Sequence, residues 1–476
     1  MQIYPLILAN HSQQTNQYLD VNSPYNGQTV GQVCLAEPEE INQAIEKALE
    51  AFKVLKHMPT HKKAKILHQI SQGVKEKAQE LAQTIALEAG KPITFAKVEV
   101  ERCVELFAWA AEEIKRFQGE IIPLDLDKLG ENRIGINKRF PIGPLLAITP
   151  FNFPLNLVAH KVAPALAVGN PVLVKPAPAT PITAILLGEI ISNTDLPEGA
   201  ISVLPCTNEL AETMVTDQRI AMLSFTGSPK VGWYLKKQAG QKRVALELGG
   251  NAALIIDSLA HKKFLMDRAI IGGYYQAGQV CISVQRIFVQ KDLYNTFLQE
   301  FVARVEQIPT GNPLDPKTIT GPLINQAAAD RVYQWIQEAI QQGAKLLTGG
   351  KRSSLSPCII TPTVLTNTSP EMKVNKLEVF GPVVTVEPYD TFEQAIELVN
   401  DSMYGLQTGI FTDDLSKAFY AYEHLEVGGV IINDIPTYRS DPMPYGGIKM
   451  SGFGKEGIRY AMEEMTESKF LALKYA

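Results

Sequence analysis

Residues 143–176 read GPLLAITPFNFPLNLVAHKVAPALAVGNPVLVKP. Two uncharged apolar runs, 145–149 and 171–174, flank a stretch, 157–168, whose apolar residues recur at helical spacing. A short apolar run bounded by glycine and proline predicts a strand covered on both faces. Strands of that kind run parallel, because each crossover between them is a helix that packs on the sheet. The rhythm continues with apolar runs at 201–204, 220–225 and 244–248, separated by helical patterns at 182–192, 209–215 and 230–239. Five strands in this rhythm predict an α/β fold with a doubly wound, Rossmann-type sheet.

Beyond Gly250 the alternation restarts. Strand patterns at 252–256, 286–289, 383–386, 408–411 and 430–432, with helical ones from about 264, at 293–307 and at 327–342, predict a second α/β domain. No flexible linker stands at 248–251, so the two domains are expected to meet closely, with a ligand cleft between them. Upstream, 39–55 carries one apolar stripe on a charged helix, and helical patterns run from about 62 to 89 and from about 95 to 117. The first hundred residues are therefore expected to be helices that cover another part of the fold. After them, 121–126 and 133–139 read as extended segments joined by Lys128-Leu-Gly-Glu-Asn132, a hairpin.

Composition limits what such a chain does. Apolar residues make up 45% and charged residues 20% of the 476, enough for real cores and incompatible with extended disorder. A net charge of −5 with no long basic run argues against a nucleic-acid partner. The uncharged stretch 142–159 is interrupted by Pro144, Pro150 and Pro154, so no membrane helix is expected. Cys34, Cys103, Cys206, Cys281 and Cys358 include no CxxC pair, so neither a disulfide framework nor a metal site is expected. The first basic residue is Lys47; no signal peptide is expected, and the predicted location is cytoplasmic.

Candidate chemistry gathers at the predicted strand ends. The first βα turn reads Ile148-Thr-Pro-Phe-Asn-Phe-Pro154 and lacks the GxGxxG fingerprint, so a dinucleotide would be held another way. Lys175 closes the second strand, where a lysine meets a ribose or its 2′-phosphate, or is simply solvated. Phe225-Thr-Gly-Ser228 opens a helix whose N–H groups suit a phosphate, though Gly-Ser is also ordinary capping. Asn152 offers an amide to an oxyanion, or fills a turn. Glu247 is the single acid of an apolar strand, and is either ion-paired or raised in pKa as a general base requires. Cys281 follows Gly272-Gly273 and Gly278, whose close backbone approach gives a nucleophilic thiol its niche; the commoner fate of a lone cysteine is burial as a small apolar residue. Together these supply a nucleophile, a base, an oxyanion donor and phosphate turns.

Seven segments carry a family resemblance: Pro150-Phe-Asn-Phe-Pro154, Val174-Lys-Pro176, Phe225-Thr-Gly-Ser228, Leu246-Glu-Leu-Gly-Gly250, Gly278-Gln-Val-Cys281, Glu378-Val-Phe-Gly-Pro382 and Pro444-Tyr-Gly-Gly-Ile-Lys-Met-Ser-Gly452. In that order they resemble the aldehyde dehydrogenase superfamily over essentially the whole chain. The resemblance implies Cys281 as nucleophile, Asn152 with the Cys281 backbone N–H as oxyanion hole, and Glu247 as general base. It implies contacts to NAD or NADP from Thr149, Pro150, Phe151, Lys175, Ala177, Pro178, Phe225, Gly227, Ser228, Val231, Leu248, Gly249, Glu378 and Phe380. The implied reaction oxidises an aldehyde to its acid through a thiohemiacetal and a thioester on Cys281.

The implied organisation is a cofactor-binding domain at 1–120 and 141–247 with part of 438–455, and a catalytic domain at 248–437. Residues 121–140 and 456–476 would form an arm that pairs across subunits into a homodimer or homotetramer. Pro178 stands where NAD-preferring members carry a glutamate, which inclines the expectation toward NADP. Pro205-Cys-Thr-Asn208 replaces a glycine-rich turn of many relatives. The nearest branches are lactaldehyde dehydrogenase-like and non-phosphorylating glyceraldehyde-3-phosphate dehydrogenase-like. Arg102 matches a phosphate-contacting arginine of the latter, but the arginine before its nucleophile is Val280 here. The expected substrate is therefore a small hydroxy- or acid-bearing aldehyde, with Arg102 and Arg439 as anion contacts. Arg102 is alternatively expected to pair with Glu99 or Glu105 along its helix. Two other readings are a CoA-acylating semialdehyde dehydrogenase, against which Glu247 argues, and a catalytically idle binding or structural relative, against which Cys281, Asn152 and Glu247 argue together.

Overall fold

The computed structural model describes residues 2–475. An eight-stranded sheet has the order Gly452–Phe453, Arg243–Glu247, Met222–Thr226, Leu145–Ile148, Val172–Lys175, Ile201–Val203, Leu6–Leu8, His11–Gln13. Its inner five strands are parallel. The chain winds outward from Leu145–Ile148 in one direction and then returns to its other side at Met222–Thr226. Ligands of such sheets bind beyond the carboxyl ends at this reversal. Side chains alternate between faces as a strand demands. Leu145 and Ala147 join one core with the helices Asn156–Val168 and Pro181–Ser192. Leu146 and Ile148 join the other with Pro38–Leu55 and Asn208–Thr216.

A seven-stranded sheet follows, ordered Lys345–Thr348, Thr363–Thr366, Val383–Tyr389, Arg286–Gln290, Ala253–Ile256, Gln407–Phe411, Gly429–Ile432, and all parallel but its first. Glu247 ends a strand of one sheet and Ala253 begins a strand of the other, so the short passage between them ties the two together.

The N-terminal region departs from expectation. The first 37 residues hold strands, not helices: Leu6–Leu8 extends the large sheet antiparallel, and Ile3–Tyr4, Thr29–Cys34 and Tyr18–Asn22 form a separate three-stranded sheet. The helix expected over 62–89 is two helices, Thr60–Glu76 and Ala78–Ala89, parted at Lys77 (φ −95°, ψ 16°). The hairpin Glu120–Pro123 and Arg133–Pro141 is completed within the chain by the antiparallel strand Thr466–Lys474. No helix among the described residues is long and apolar enough to cross a membrane.

Candidate active site

Loops from both sheets converge at the reversal point. Cys281 lies in the connection between the helix Lys262–Tyr274 and the strand Arg286–Gln290. Three consecutive residues there, Gln276, Ala277 and Gly278, have left-handed φ values of 51°, 55° and 67°. A β-carbon makes such backbone cost ~1–2 kcal/mol per residue, so neighbours must hold it. They do. Gln276 Nε2 donates to the Asn152 carbonyl, and Gln279 Nε2 donates to the carbonyls of Gln276 and Pro322 (both 3.2 Å). The third position requires glycine, because a β-carbon on Gly278 would lie 2.3 Å from the Gly381 carbonyl oxygen. This turn presses the Cys281 loop against the first βα turn.

Asn152 is 4% exposed and its Nδ2 donates to the Gln279 carbonyl at 2.9 Å, two residues before the thiol. An amide nitrogen carries two hydrogens, so one remains for an oxyanion beside Cys281. The Cys281 backbone N–H has no acceptor among the described residues. Cys281 Sγ lies 3.0 Å from Tyr445 Oη. Burial pushes this thiol up to about 12, the Tyr445 hydrogen bond pulls it down, the nearby Glu378 and Glu247 carboxyls raise it, and Arg439 lowers it. The other four cysteines are buried and free.

Glu247 ends the strand Arg243–Glu247, 4% exposed, and its Oε2 has no hydrogen-bond partner. Burial, followed by the neighbouring Glu456 charge, pushes its carboxyl well above the ordinary range. Beneath it lies a charged cluster the sequence did not announce. Lys161 Nζ donates to Glu456 Oε1 (2.9 Å) and Ser224 Oγ (3.1 Å), and Arg439 donates to Glu456 Oε2 (3.1 Å). Against burial, Lys161, Arg439 and His160 hold Glu456 down to about 2. Burial first, then Arg439, lowers His160 to about 4, so its ring is neutral. Its Nδ1 accepts from Arg439 (3.4 Å), which leaves Nε2–H to donate to Asp441 (3.1 Å).

Arg102 pairs with neither Glu99 nor Glu105. Its Nη2 donates to Asp441 Oδ1 at 2.6 Å, and its side chain stays 26% exposed. Glu99 turns inward instead: it accepts from the Leu155 and Asn156 N–H groups (3.0 Å each) and binds the buried Lys91.

On the large-sheet side, Lys175 is buried and not solvated. Its Nζ donates to Asn208 Oδ1 at 3.1 Å, within the turn that departs from the family pattern. Thr149 N–H pairs with the Lys175 carbonyl (3.2 Å), with Ala177 and the exposed Pro178 just beyond. Ser228 caps the helix Pro229–Gln238 by accepting from Val231 N–H (3.5 Å), Gly227 packs on Phe225, and Val231 is 43% exposed. Glu378 Oε1 accepts from Gly250 N–H (3.0 Å), and burial pushes its carboxyl up to about 7. A β-carbon on Gly249 would lie 2.2 Å from Glu378 Oε2, so any larger residue there would push the Glu378 carboxyl aside; Leu248 beside it is buried. Phe380, in left-handed backbone (φ 48°), meets Phe151 edge to face at 5.8 Å, with Pro150 preceding it. Contacts link these segments in pairs: Thr149 with Lys175, Phe151 with Phe380, the Gly227 N–H with the Glu247 carbonyl (3.0 Å) and Gly250 with Glu378, while Asn152 is tied to the Cys281 loop through Gln279.

The sequence reading missed Tyr445, Gln276 and the set Lys161, His160, Asp441 and Glu456. Lys161 carried one signal, a lone charge inside the apolar run 157–168; the others assemble only through tertiary contacts.

A model of the aldehyde dehydrogenase family matches residues 10–471. The 3-sulfolactaldehyde dehydrogenase of Priestia megaterium is 40% identical, covering 99% of this chain and 98% of that protein. The crystal structure of aldehyde dehydrogenase 21 from Physcomitrella patens, in complex with the reaction product succinate, is 44% identical with a TM-score of 0.97, covering 99% of this chain and 98% of that one. The glyceraldehyde-3-phosphate dehydrogenase GapN of Methanocaldococcus jannaschii, complexed with NADP, is 39% identical with a TM-score of 0.92, covering 97% of this chain and 100% of that one.

Proposed function

The chain belongs to the aldehyde dehydrogenase family and is an NAD(P)-dependent aldehyde oxidoreductase; from that premise we propose that it oxidises an acid-bearing aldehyde to the carboxylate, with Cys281 as nucleophile. The observations that carry this reading are the Asn152 amide tied to the Cys281 loop through Gln279, and a partnerless Glu247 carboxyl set against Gly446, next to the Tyr445 that hydrogen-bonds the thiol.

The segments at the strand ends carry groups suited to a dinucleotide. The buried Lys175 ammonium carries three hydrogens and spends one on Asn208, which leaves donors for ribose hydroxyls or a 2′-phosphate. The helix start at Ser228 suits the pyrophosphate. Glu378, held on Gly250, suits the nicotinamide ribose. When bound, the nicotinamide accepts a hydride.

The thiol gives up its proton to solvent water, and the electron pair left on sulfur bonds to the aldehyde carbon as the carbonyl π pair moves onto oxygen. Asn152 Nδ2 and the Cys281 N–H donate to that oxyanion. Loss of the hydride leaves a thioester on Cys281. Glu247, once deprotonated, removes a proton from water, which attacks the thioester carbon and expels the thiolate with the acid product. Lys161 and Arg439, both bonded to Glu456, keep that second carboxylate charged beside Glu247 and hold Glu247 ready to take a proton.

The acidic group of the substrate is assigned to Arg102, which presents donors not used by Asp441, with Arg439 behind it. The named relatives act on 3-sulfolactaldehyde or bind succinate, and these too are anionic. The test compares succinic semialdehyde with butanal, which has the same chain length and no carboxylate, using NAD and NADP with and without CoA. We expect a KM ~10–100-fold lower for the semialdehyde, and Arg102→Met should erase that preference while sparing butanal. Equal KM values would refute the acid-bearing assignment. Turnover that requires CoA would favour the acylating reading, and silence across the panel an idle relative.

NADP is the proposed preference, because Pro178 offers a 2′-phosphate no repulsion. Pro178→Glu should lower the NADP:NAD ratio of kcat/KM by about tenfold, the effect of ~1.4 kcal/mol of like-charge repulsion. An unchanged ratio would remove Pro178 from the selectivity. The arm exposes Ile121 (73%), Leu471 (53%) and Leu473 (49%). Apolar strand surface of that kind supports a homodimer or homotetramer joined through it.

A further inference from the structure

We propose that the Tyr445 hydroxyl is a catalytic hydrogen-bond donor that stabilises the Cys281 thiolate each time it forms ahead of attack on the substrate carbonyl; this rests on the reading of Cys281 as the nucleophile. In the resting pair, Sγ and Oη lie 3.0 Å apart and either atom is able to donate. Once the thiol proton has left, sulfur only accepts, and the phenol O–H is the side-chain donor already in place.

Tyr445 is built to stay put. It is 3% exposed and paired through its backbone with Glu456: its N–H donates to the Glu456 carbonyl at 3.0 Å and its carbonyl accepts at 2.7 Å. The Arg439 guanidinium covers its ring at 3.8 Å and draws electron density from it, which strengthens the hydroxyl as a donor and weakens it as an acceptor. The charged and titratable groups facing the thiol are Tyr445, Glu378, Arg439, Glu247 and Tyr275; those facing Tyr445 are Cys281, Arg439 and Glu247. Both carboxyls, when ionised, oppose a thiolate. Arg439 and the Tyr445 O–H are what favour it.

The chemistry requires this bond to be temporary. As the sulfur pair forms the S–C bond and the carbonyl π pair moves to oxygen, sulfur becomes neutral and a poor acceptor. The Tyr445 bond is released while the Asn152 bond to the oxyanion forms. A donor acting in this way raises the thiolate population but lowers the reactivity of each thiolate, because nucleophilicity falls with pKa with a slope of ~0.4–0.5.

Those opposed effects give the test. The rate of Cys281 alkylation by iodoacetamide is followed against pH on the cofactor-saturated enzyme, with the modified residue identified by peptide mass spectrometry. Tyr445→Phe should raise the midpoint by about one unit, raise the high-pH limiting rate ~threefold and lower the neutral-pH rate ~threefold. An unmoved midpoint with an equal loss at every pH is what mere packing damage gives, and it would overturn the proposal. 3-Fluorotyrosine at position 445, a more acidic phenol, should move the midpoint downward, and no movement would count equally against it. If Cys281→Ser keeps wild-type turnover, the parent reading of Cys281 fails instead.

Discussion

Glu247→Gln should release about one reduced cofactor per active site and then almost stop, with steady turnover lowered ~10²–10⁴-fold. The substitution changes one atom of a side chain whose Oε2 bonds to nothing, so little structure is lost with it. The amide cannot take a proton from water, and the acyl group stays on Cys281. The pH dependence has a definite sign. Burial and the Glu456 charge push Glu247 well above the ordinary carboxyl range, so its basic form grows as pH rises. Wild-type deacylation should therefore accelerate with pH through neutrality, and the variant should lose that rise. A variant that loses its burst as well would show that Glu247 also activates the thiol. Stopped-flow absorbance of the reduced nicotinamide measures both phases.

Cys281→Ser should abolish burst and turnover alike, by at least ~10⁴-fold. A buried hydroxyl in the same place holds its proton far more tightly than a thiol, and Asn152 then has no oxyanion to receive. Cys34, Cys103, Cys206 and Cys358 are 0–7% exposed and should be dispensable. Alanine at each should cost stability by leaving a cavity, with turnover per folded molecule near wild type. Turnover in Cys281→Ser comparable to wild type would require another nucleophile.

The parallel sheets were legible because their strands are buried on both faces, so each appears as an uninterrupted apolar run. Leu145–Ile148 and Val172–Lys175 fall within one residue of expectation. The N-terminal strands were not legible. Leu6–Leu8 and His11–Gln13 are three residues each, too short for a period, and are specified by the edge they complete. The break at Lys77 was hidden because lysine is a good helix former. Catalytic candidates were readable where chemistry is concentrated in a motif, as at Cys281 and Glu247. The partner of Arg102 was not readable: a helix face suggested Glu99, but Glu99 is used to cap the helix Asn156–Val168 and neutralise Lys91, and the partner of Arg102 lies 339 residues away. Lys175 likewise becomes a buried, oriented group only through Asn208, a contact no local pattern encodes.

The most direct measurement is the mass of the Cys281 peptide after Glu247→Gln enzyme is mixed with cofactor and succinic semialdehyde, quenched in acid at the end of the burst and digested. The expected result is a Cys281 peptide heavier by one acyl group less the thiol hydrogen, in an amount matching the cofactor reduced. Reduced cofactor formed in the burst while Cys281 remains unmodified would contradict covalent catalysis by this residue.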